Sequence, residues 1–297
     1  MFTNTKRHES SEKNVWKYIF TKSDAVVEAV LYKYDDFYKR TVICCSVQSG
    51  CPIGCKFCGT GERFIRNMTA DEIVYQIQHV LKDMDIEDVD SRSPKFQIMF
   101  MSMGEPMMNW KNVSEAIKEL NHLYPNAQLL LSTIGVDNDK TFNGIINLSK
   151  AIDKVGLQFS IHQALEGKRN TLIPFENKMS LRKIRDTGLT WHKETGRPVY
   201  LNYCIDGNNT SRIEIDALKD LFSPTTFYFT FSVVCSADET MKNAGYRNLN
   251  HIQEVMESFS KEGYNVRMFD PAGQDDIGGG CGQLWYVQQW LKEYKEQ

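Results

Sequence analysis

No apolar run in the chain approaches the roughly 18 residues needed to cross a bilayer as a helix. Met1 to Lys13 are polar and charged with no apolar stretch, so no secretory signal is expected there, and the expected location is cytoplasmic. A basic excess is also missing: the formal net charge is −3, whereas a nucleic-acid-binding surface usually shows a surplus of Lys and Arg, which counts against an RNA substrate. Repeats, low-complexity tracts and Pro/Gly/Ser-rich linkers are absent. What is present is ample for a large core, with 297 residues of which 41% are hydrophobic and 25% charged. The eight cysteines are not spread like a disulfide framework, because five of them (Cys44, Cys45, Cys51, Cys55, Cys58) are bunched and only Cys204, Cys235 and Cys281 stand apart. In a reducing compartment such bunching points to metal binding or thiol chemistry.

Residues 1–14 are expected to be a disordered tail. Val15–Thr21 and Ala25–Lys33 read as two strands around the turn Lys22-Ser23-Asp24, a hairpin spanning 15–40 with its flank. Strands and helices then alternate. Strands are expected at Thr41–Val47, Lys95–Met101, Gln128–Leu131, Leu157–Ile161, Val199–Cys204 and Phe227–Val234. The first helix opens at Thr69-Ala70-Asp71-Glu72, a capping-box pattern, and Ile73, Ile77, Val80, Leu81 and Met84 recur at helical spacing. Further helices are expected near 111–122, 139–154, 180–195, 211–222 and 248–262, with Gln283–Lys295 as a terminal helix. Six strand–helix units imply a parallel α/β sheet. They are too few for an eight-fold barrel. The expected architecture is a partial, open (β/α)6 TIM-like barrel over 41–297 with a short N-terminal β-hairpin extension; a doubly wound sheet is the alternative. Ser102, Glu105, Ser132, Thr133, His162, Asp206 and Asn209 all follow strand ends, where such enzymes place their sites.

The segment Gly50-Cys51-Pro52-Ile53-Gly54-Cys55-Lys56-Phe57-Cys58-Gly59-Thr60-Gly61 puts three thiols in one glycine-loosened loop. Three thiolates can hold a cubane cluster, leave its fourth iron open to a chelating substrate, and receive backbone N–H donors that tune its potential. A structural zinc site is the other reading, but it generally wants four ligands, and no second Cys or His pair lies downstream. Cys44 and Cys45 are neighbours on a strand, so they point to opposite faces. Cys45, Cys204 and Cys235 read as small buried hydrophobes, the Met99–Met108 cluster as packing, and His162 as either a core histidine or a site residue. Arg66-Asn67 suits either a ligand-facing pair or a helix-entry turn.

The spacing C-x3-C-x2-C with Phe57 before the last cysteine is similar to the radical S-adenosylmethionine (SAM) signature. With Cys44, Arg66 to Ile73, Met103-Gly104-Glu105-Pro106, Ser132-Thr133, Ser160-Ile161-His162, Asp275-Asp276-Ile277 and Cys281-Gly282-Gln283-Leu284, the chain resembles the radical SAM RNA adenine methyltransferases (RlmN/Cfr-like) from about residue 15 to 284. The resemblance implies that Cys51, Cys55 and Cys58 ligate a [4Fe-4S] cluster. It also implies that Phe57, Gly104, Glu105, Pro106, Ser132, Ser160 and His162 surround SAM, with Glu105 accepting from its amino group. The substrate implied is RNA, rRNA or tRNA, methylated at adenine C2 or C8. In the implied mechanism Cys281 takes a methyl group from one SAM, and a 5′-deoxyadenosyl radical from a second abstracts hydrogen from that S-methyl. The carbon radical adds to the base, and Cys44 then attacks the Cys281 sulfur, leaving a disulfide and releasing product. Gly278-Gly279-Gly280-Cys281-Gly282 would be a loop ending at a helix start, whose dipole favours the Cys281 thiolate. An electron donor such as flavodoxin or ferredoxin is implied.

The chain departs from the family pattern in having no room for the N-terminal accessory domain, in keeping only Arg267 of a basic stretch, and in lacking an Asn-Pro near Val233–Ser236. A partner supplying RNA binding is then expected. A nucleoside, small molecule or peptide substrate is the alternative, and a non-catalytic zinc or Fe–S module is the second.

Overall fold

The computed structural model describes residues 1–61, 63–235, 244–246, 248–270, 274–280 and 282–295. It opens with β1 (Asn4–Glu9), β2 (Val15–Lys22) and β3 (Ala25–Lys33), then β4 (Thr41–Cys45), β5 (Gln48–Gly50), β6 (Phe64–Asn67), α1 (Ala70–Asp83) and α2 (Val89–Arg92). There follow β7 (Phe96–Phe100), α3 (Trp110–Leu123), β8 (Gln128–Thr133), α4 (Asp139–Ala151), β9 (Val155–Ser160), α5 (Glu166–Leu172), α6 (Leu181–Thr195), β10 (Val199–Ile205) and α7 (Arg212–Leu221). The chain closes with β11 (Phe227–Cys235), β12 (Ala244–Tyr246), α8 (Leu249–Ser260), β13 (Val266–Phe269), α9 (Gln274–Ile277) and α10 (Tyr286–Lys295).

The protein is a mixed α/β fold. Strands β4, β7, β8, β9, β10 and β11 lie side by side in sequence order, each parallel to the next, and β13 adds in parallel to β11. A doubly wound sheet reverses its strand order at a switch point. No reversal occurs along β4 to β11, so the doubly wound alternative is set aside.

Strand alternation decides which residues meet the helices. Ile43, Cys45, Ile98, Phe100, Leu129, Leu131, Leu157, Phe159, Leu201, Phe229 and Phe231 belong to the main core, where the buried stripes of the helices join them, for example Ile73, Ile77 and Val80 of α1 and Val113, Ile117 and Leu120 of α3. The α1 entry has the capping box read from sequence: Thr69 accepts from Glu72 N–H, and the Glu72 carboxylate accepts from Thr69 N–H.

The expected disordered tail contains a strand. Residues 4–9 pair antiparallel with β2, although their side chains are almost all exposed. Asn-Thr-Lys-Arg-His-Glu has no apolar face to signal a strand; the open backbone edge of β2 supplies the pairing, and a charged edge strand is a common way to close such an edge. Phe2 then anchors the start, 5.4 Å from Phe20 and 5.8 Å from Tyr75 by ring centroids. The hairpin β2–β3 forms as expected, and it is continuous with the large sheet through Val30↔Cys44 to Lys33↔Thr41.

Candidate active site

The cysteine loop hangs between β5 and β6, a small hairpin whose three- and four-residue strands are too short to register as a pattern in sequence. Gly50 closes it with φ +75°, and a Cβ there would sit 1.5 Å from the Arg63 carbonyl oxygen. Cys51 N–H donates to that same carbonyl (2.8 Å), which fixes the first cysteine at the loop mouth. Cys51, Cys55 and Cys58 are all half-buried and all line one cavity of about 170 Å³. Burial pushes the Cys51 thiol up to about 12, against the pull of backbone N–H groups of Ile53 and Gly104. Among the described residues no three His, Cys, Asp or Glu side chains converge closely enough to hold a single metal ion. A cubane binds each thiolate through a different iron, so its ligands stand farther apart than those of one ion. Three thiols on one cavity are a donor set that a cluster with an open iron can take.

The same cavity is lined from β3 (Val30, Tyr32) through β4 (Cys44), β7 (Met99), β8 (Ser132), β9 (Gln158, Ser160), β10 (Asn202), β11 (Thr230, Ser232) and β13 (Arg267, Phe269). Phe57, Gly104, Glu105 and His162 of the expected site line it too; Pro106 does not, and instead starts a short 3₁₀ turn at Pro106–Asn109. Cys44 and Cys45 divide as their strand requires, Cys44 on the cavity wall and Cys45 in the helix-facing core.

Glu105 is 3% exposed. Its Oε1 accepts from Met107 N–H and Thr133 Oγ1, and its Oε2 from Ile134 N–H (3.0 Å). Burial pushes its carboxyl above the ordinary range, against the pull of those three donors. Two carboxylate oxygens offer about four acceptor positions, so one remains. Ser102 Oγ is buried in the same cavity with no partner among the described residues. One spare carboxylate position and one unmatched hydroxyl are what an ammonium-bearing polar ligand such as SAM requires.

His162 has φ +56° and is buried. Cys204 N–H donates to its Nδ1 (3.2 Å), so the neutral ring carries its proton on Nε2. Burial, aided by the nearby Arg169 charge, lowers its pKa to about 3. Asn209 Nδ2 locks the backbone by donating to both His162 O and Cys204 O, and the ring meets Phe57 edge-on at 4.8 Å. The ring is thus a core histidine by its bonds and a cavity residue by its place. Arg66, left open from sequence, is a helix-entry residue: its guanidinium grips Glu72 (2.8 and 2.9 Å) and Asp24 (2.9 Å).

Cys281 lies outside the described residues, and so does the side chain of Cys235. The neighbours of Cys281 are well held. Gly280 and Gly282 line the cavity. Gly59 N–H donates to Gly282 O (2.6 Å), Thr60 Oγ1 to Leu284 O (3.0 Å), and a Cβ on Gly282 would meet Phe57 O at 2.7 Å. From the hairpin, Lys17 Nζ donates to Gly278 O (3.2 Å), Tyr32 OH donates to Gly279 O, and Glu28 Oε1 accepts from Tyr286 N–H (2.8 Å). The loop is therefore clasped between the cysteine loop and β2–β3. The last helix begins at Tyr286, not at position 283. Gln283 is spent instead on the turn, its side chain accepting from Gly280 N–H.

Sequence reasoning missed Gln158, Asn202, Thr230, Ser232 and Arg267. Gln158 donates to Ser132 Oγ, Ser232 to Asn202, and Arg267 to Thr230. Their signal was available: Leu-Gln-Phe-Ser, Leu-Asn-Tyr-Cys and Phe-Thr-Phe-Ser each place polar groups or cysteine at every second position of an otherwise apolar strand, which marks the cavity face.

A sequentially ordered parallel sheet with a three-cysteine loop on a cavity at its strand ends is the arrangement of a radical SAM enzyme. No protein-family model matches the chain. It is similar to the probable dual-specificity RNA methyltransferase RlmN of Finegoldia magna, 30% identical over 282 residues that make up 94% of this chain and 77% of that protein. The protein of the same name in Fervidobacterium nodosum is 31% identical over 286 residues, 93% of this chain and 76% of that one. Among solved structures, a radical SAM methyltransferase from Sphaerobacter thermophilus superposes with a TM-score of 0.79 at 25% identity, covering 94% of this chain and 80% of that one. The chain belongs to the RlmN family of radical SAM RNA methyltransferases. Its cofactors are those of that class, a [4Fe-4S] cluster and SAM. Among the described residues no helix is long and apolar enough to cross a membrane.

Proposed function

We propose that this chain methylates an sp² carbon, C2 or C8, of an adenine in rRNA or tRNA, with Cys281 and Cys44 as its catalytic cysteines. Cys51, Cys55 and Cys58 hold the cluster. Glu105 takes the amino group of SAM, while Ser132, Ser160, Phe57, His162 and the Gly104 and Pro106 backbone shape the rest of that subsite. Bound there, cluster and SAM supply the methyl group and the radical chemistry. Cys281 holds the methyl carbon as a thioether. After that carbon has bonded to the base, the adduct gives up one electron to the bound cofactor and the ring hydrogen leaves as a proton. The Cys44 thiolate then attacks the Cys281 sulfur, the S–S bond forms as the carbon–sulfur bond breaks, and the carbon keeps that electron pair and takes up a proton, so that the methylated base leaves. The observation that carries this reading is the hydrogen bond from Gly59 to Gly282, which ties the cluster loop to the Cys281 loop at the rim of a cavity that also holds Cys44.

The curled sheet is read as a partial (β/α)6 barrel because one cavity touches every strand from β3 to β13 in the large sheet's parallel run and its hairpin neighbour. The catalytic core runs from residue 41 to 297, with the hairpin at 15–40 as an extension that clasps the Cys281 loop. A flavodoxin- or ferredoxin-type donor, a cytoplasmic setting and a partner aiding RNA binding complete the proposal.

The test is a Cys44→Ala variant expressed in cells. It should accumulate a covalent adduct on Cys281 whose nuclease digest contains adenosine. An adduct with a single small molecule would move the substrate to a nucleoside, metabolite or peptide. If neither a methyl group nor an adduct ever appears on Cys281, the two-cysteine route is wrong.

A further inference from the structure

Arg169, on α5, has no exposed surface at all. Its Nη1 donates to Met179 O and its Nη2 to Ile134 O, both at 2.7 Å, while its Nε has no partner among the described residues. Neither acceptor is charged. Glu166, the acid nearest in sequence, lies within electrostatic reach but makes no ion pair with Arg169, its carboxylate accepting from Leu181 N–H instead. A buried ion without a counter-ion is costly, and a guanidinium cannot escape by losing its proton near neutral pH. With Glu166 acting only through space and no acid in contact, the guanidinium can take further negative charge beside it.

Its surroundings name the candidate. Helix α5 ends against the cysteine loop, where Lys56 N–H donates to Leu172 O (2.9 Å). Cys55 lies within electrostatic reach of the guanidinium, and so does His162 across the cavity wall. His162 is neutral and Lys178 is a like charge, so the only group near Arg169 that becomes strongly negative on cofactor loading is the thiolate-ligated cluster. Ile134, whose carbonyl Arg169 holds, gives its N–H to Glu105, so the same guanidinium also braces the SAM subsite.

We propose that Arg169 is a positioning residue whose buried charge, which Glu166 offsets only through space, balances the cluster and makes it easier to reduce. The inference rests on the reading of Cys51, Cys55 and Cys58 as cluster ligands. An added electron near a buried cation is stabilised, and net charge and hydrogen bonding are among the factors that set cluster potentials.

Wild-type, Arg169→Lys and Arg169→Gln proteins are reconstituted anaerobically, assayed for iron, and titrated by EPR at controlled potentials. At a fixed potential near the wild-type midpoint, the reduced-to-oxidised ratio should fall by roughly tenfold or more in Arg169→Gln. Arg169→Lys, which keeps the charge but loses the planar two-carbonyl grip, should stay near wild type. Equal potentials in all three proteins overturn the proposal. Equal shifts in both variants also overturn it, because the carbonyl bonds and not the charge would then matter. If Arg169→Gln fails to hold iron while Arg169→Lys holds it, the need for charge is supported; loss from both alike marks a packing role and sinks the idea. A wild-type protein that holds no four-iron cluster defeats the ligand reading itself, a result distinct from all of these.

Discussion

Among the described residues two cations lie fully inside the protein, Lys17 in the hairpin and Arg169 under the cysteine loop, and they are solved in opposite ways. Lys17 sits 2.9 Å from the Glu28 carboxylate, with both side chains almost wholly buried, and its remaining donor capacity includes the Gly278 carbonyl. Arg169 has carbonyls for two of its nitrogens and no carboxylate partner among the described residues. The first charge is complete in the polypeptide, and its role is architectural: it joins β2 and β3 to the loop before Cys281. The second has no carboxylate in contact, only Glu166 and Cys55 within electrostatic reach, which suits the partner proposed to arrive with the cluster. Burial alone does not separate the two; the identity of the neighbours does.

The largest effect is expected from breaking the completed pair. Glu28→Gln leaves Lys17 buried and charged with no counter-ion, and should cost about 3–5 kcal/mol in urea unfolding. A Lys17→Met/Glu28→Leu double variant removes both charges together and should recover most of that loss, since an apolar pair of similar volume is often as stable as a buried ion pair. It should not recover the clasp. Hydrogen exchange at Gly279 to Tyr286 should rise more in the double variant than in Glu28→Gln, because the double variant removes the partners of both Gly278 O and Tyr286 N–H, whereas Glu28→Gln keeps Lys17 and an amide oxygen that can still accept from Tyr286 N–H. A double variant as unstable as Glu28→Gln would mean that shape, not charge pairing, governs this region.

A second effect sharpens the contrast at the other end of the cavity. His162 is buried beside Arg169 with its pKa lowered to about 3, so the folded protein keeps it neutral while the unfolded chain protonates it near 6.5. Between those values the unfolded state binds one more proton. Stability should therefore fall as pH drops from 6.5 towards 3, with a slope of about 1.4 kcal/mol per pH unit from this residue. Urea midpoints for His162→Gln should show that slope reduced. An unchanged slope would place the histidine outside the buried, Arg169-facing environment described here.

How much of this was legible in the sequence follows from range. The alternating strands and helices, the α1 capping box and the opposite faces of Cys44 and Cys45 depend on residues a few positions apart, and local patterns carry them. The three-cysteine loop was legible for the same reason. What depended on distant partners was not. Strand β1 has no apolar face and forms only because β2 offers an edge. The terminal helix reads from position 283 by composition, yet Gln283 turns back to Gly280 and the helix waits until Tyr286. Arg169 falls between the expected strand Leu157–Ile161 and the expected helix near 180–195, and nothing nearby in sequence announces that Met179 and Ile134 will bury it. The polar cavity residues are an intermediate case, since their period-two spacing was visible but needed the cavity that the sheet lines to gain meaning.

The smallest effect concerns a third charged cluster, which resembles Lys17–Glu28 in being complete but lies near the surface. The Glu72 carboxylate meets Arg66 and Lys22, accepts from Thr69 N–H, and closes the α1 cap. Against the upward push of burial, Arg66 and Lys22 hold its carboxyl down at about 2. Its contribution is thus fully present above about 4.5, its ordinary value, and is lost as pH falls towards 2, a lower window than that of His162. Because Arg66 and Lys22 are partly solvent-exposed, salt should weaken this term while leaving the His162 slope largely intact. Thermal unfolding of Arg66→Met at pH 3 and pH 6, each at low and high salt, separates the two: the variant should lose more stability at pH 6 than at pH 3, and added salt should narrow the gap. A loss independent of both pH and salt would reduce Arg66 to a packing residue at the helix entry.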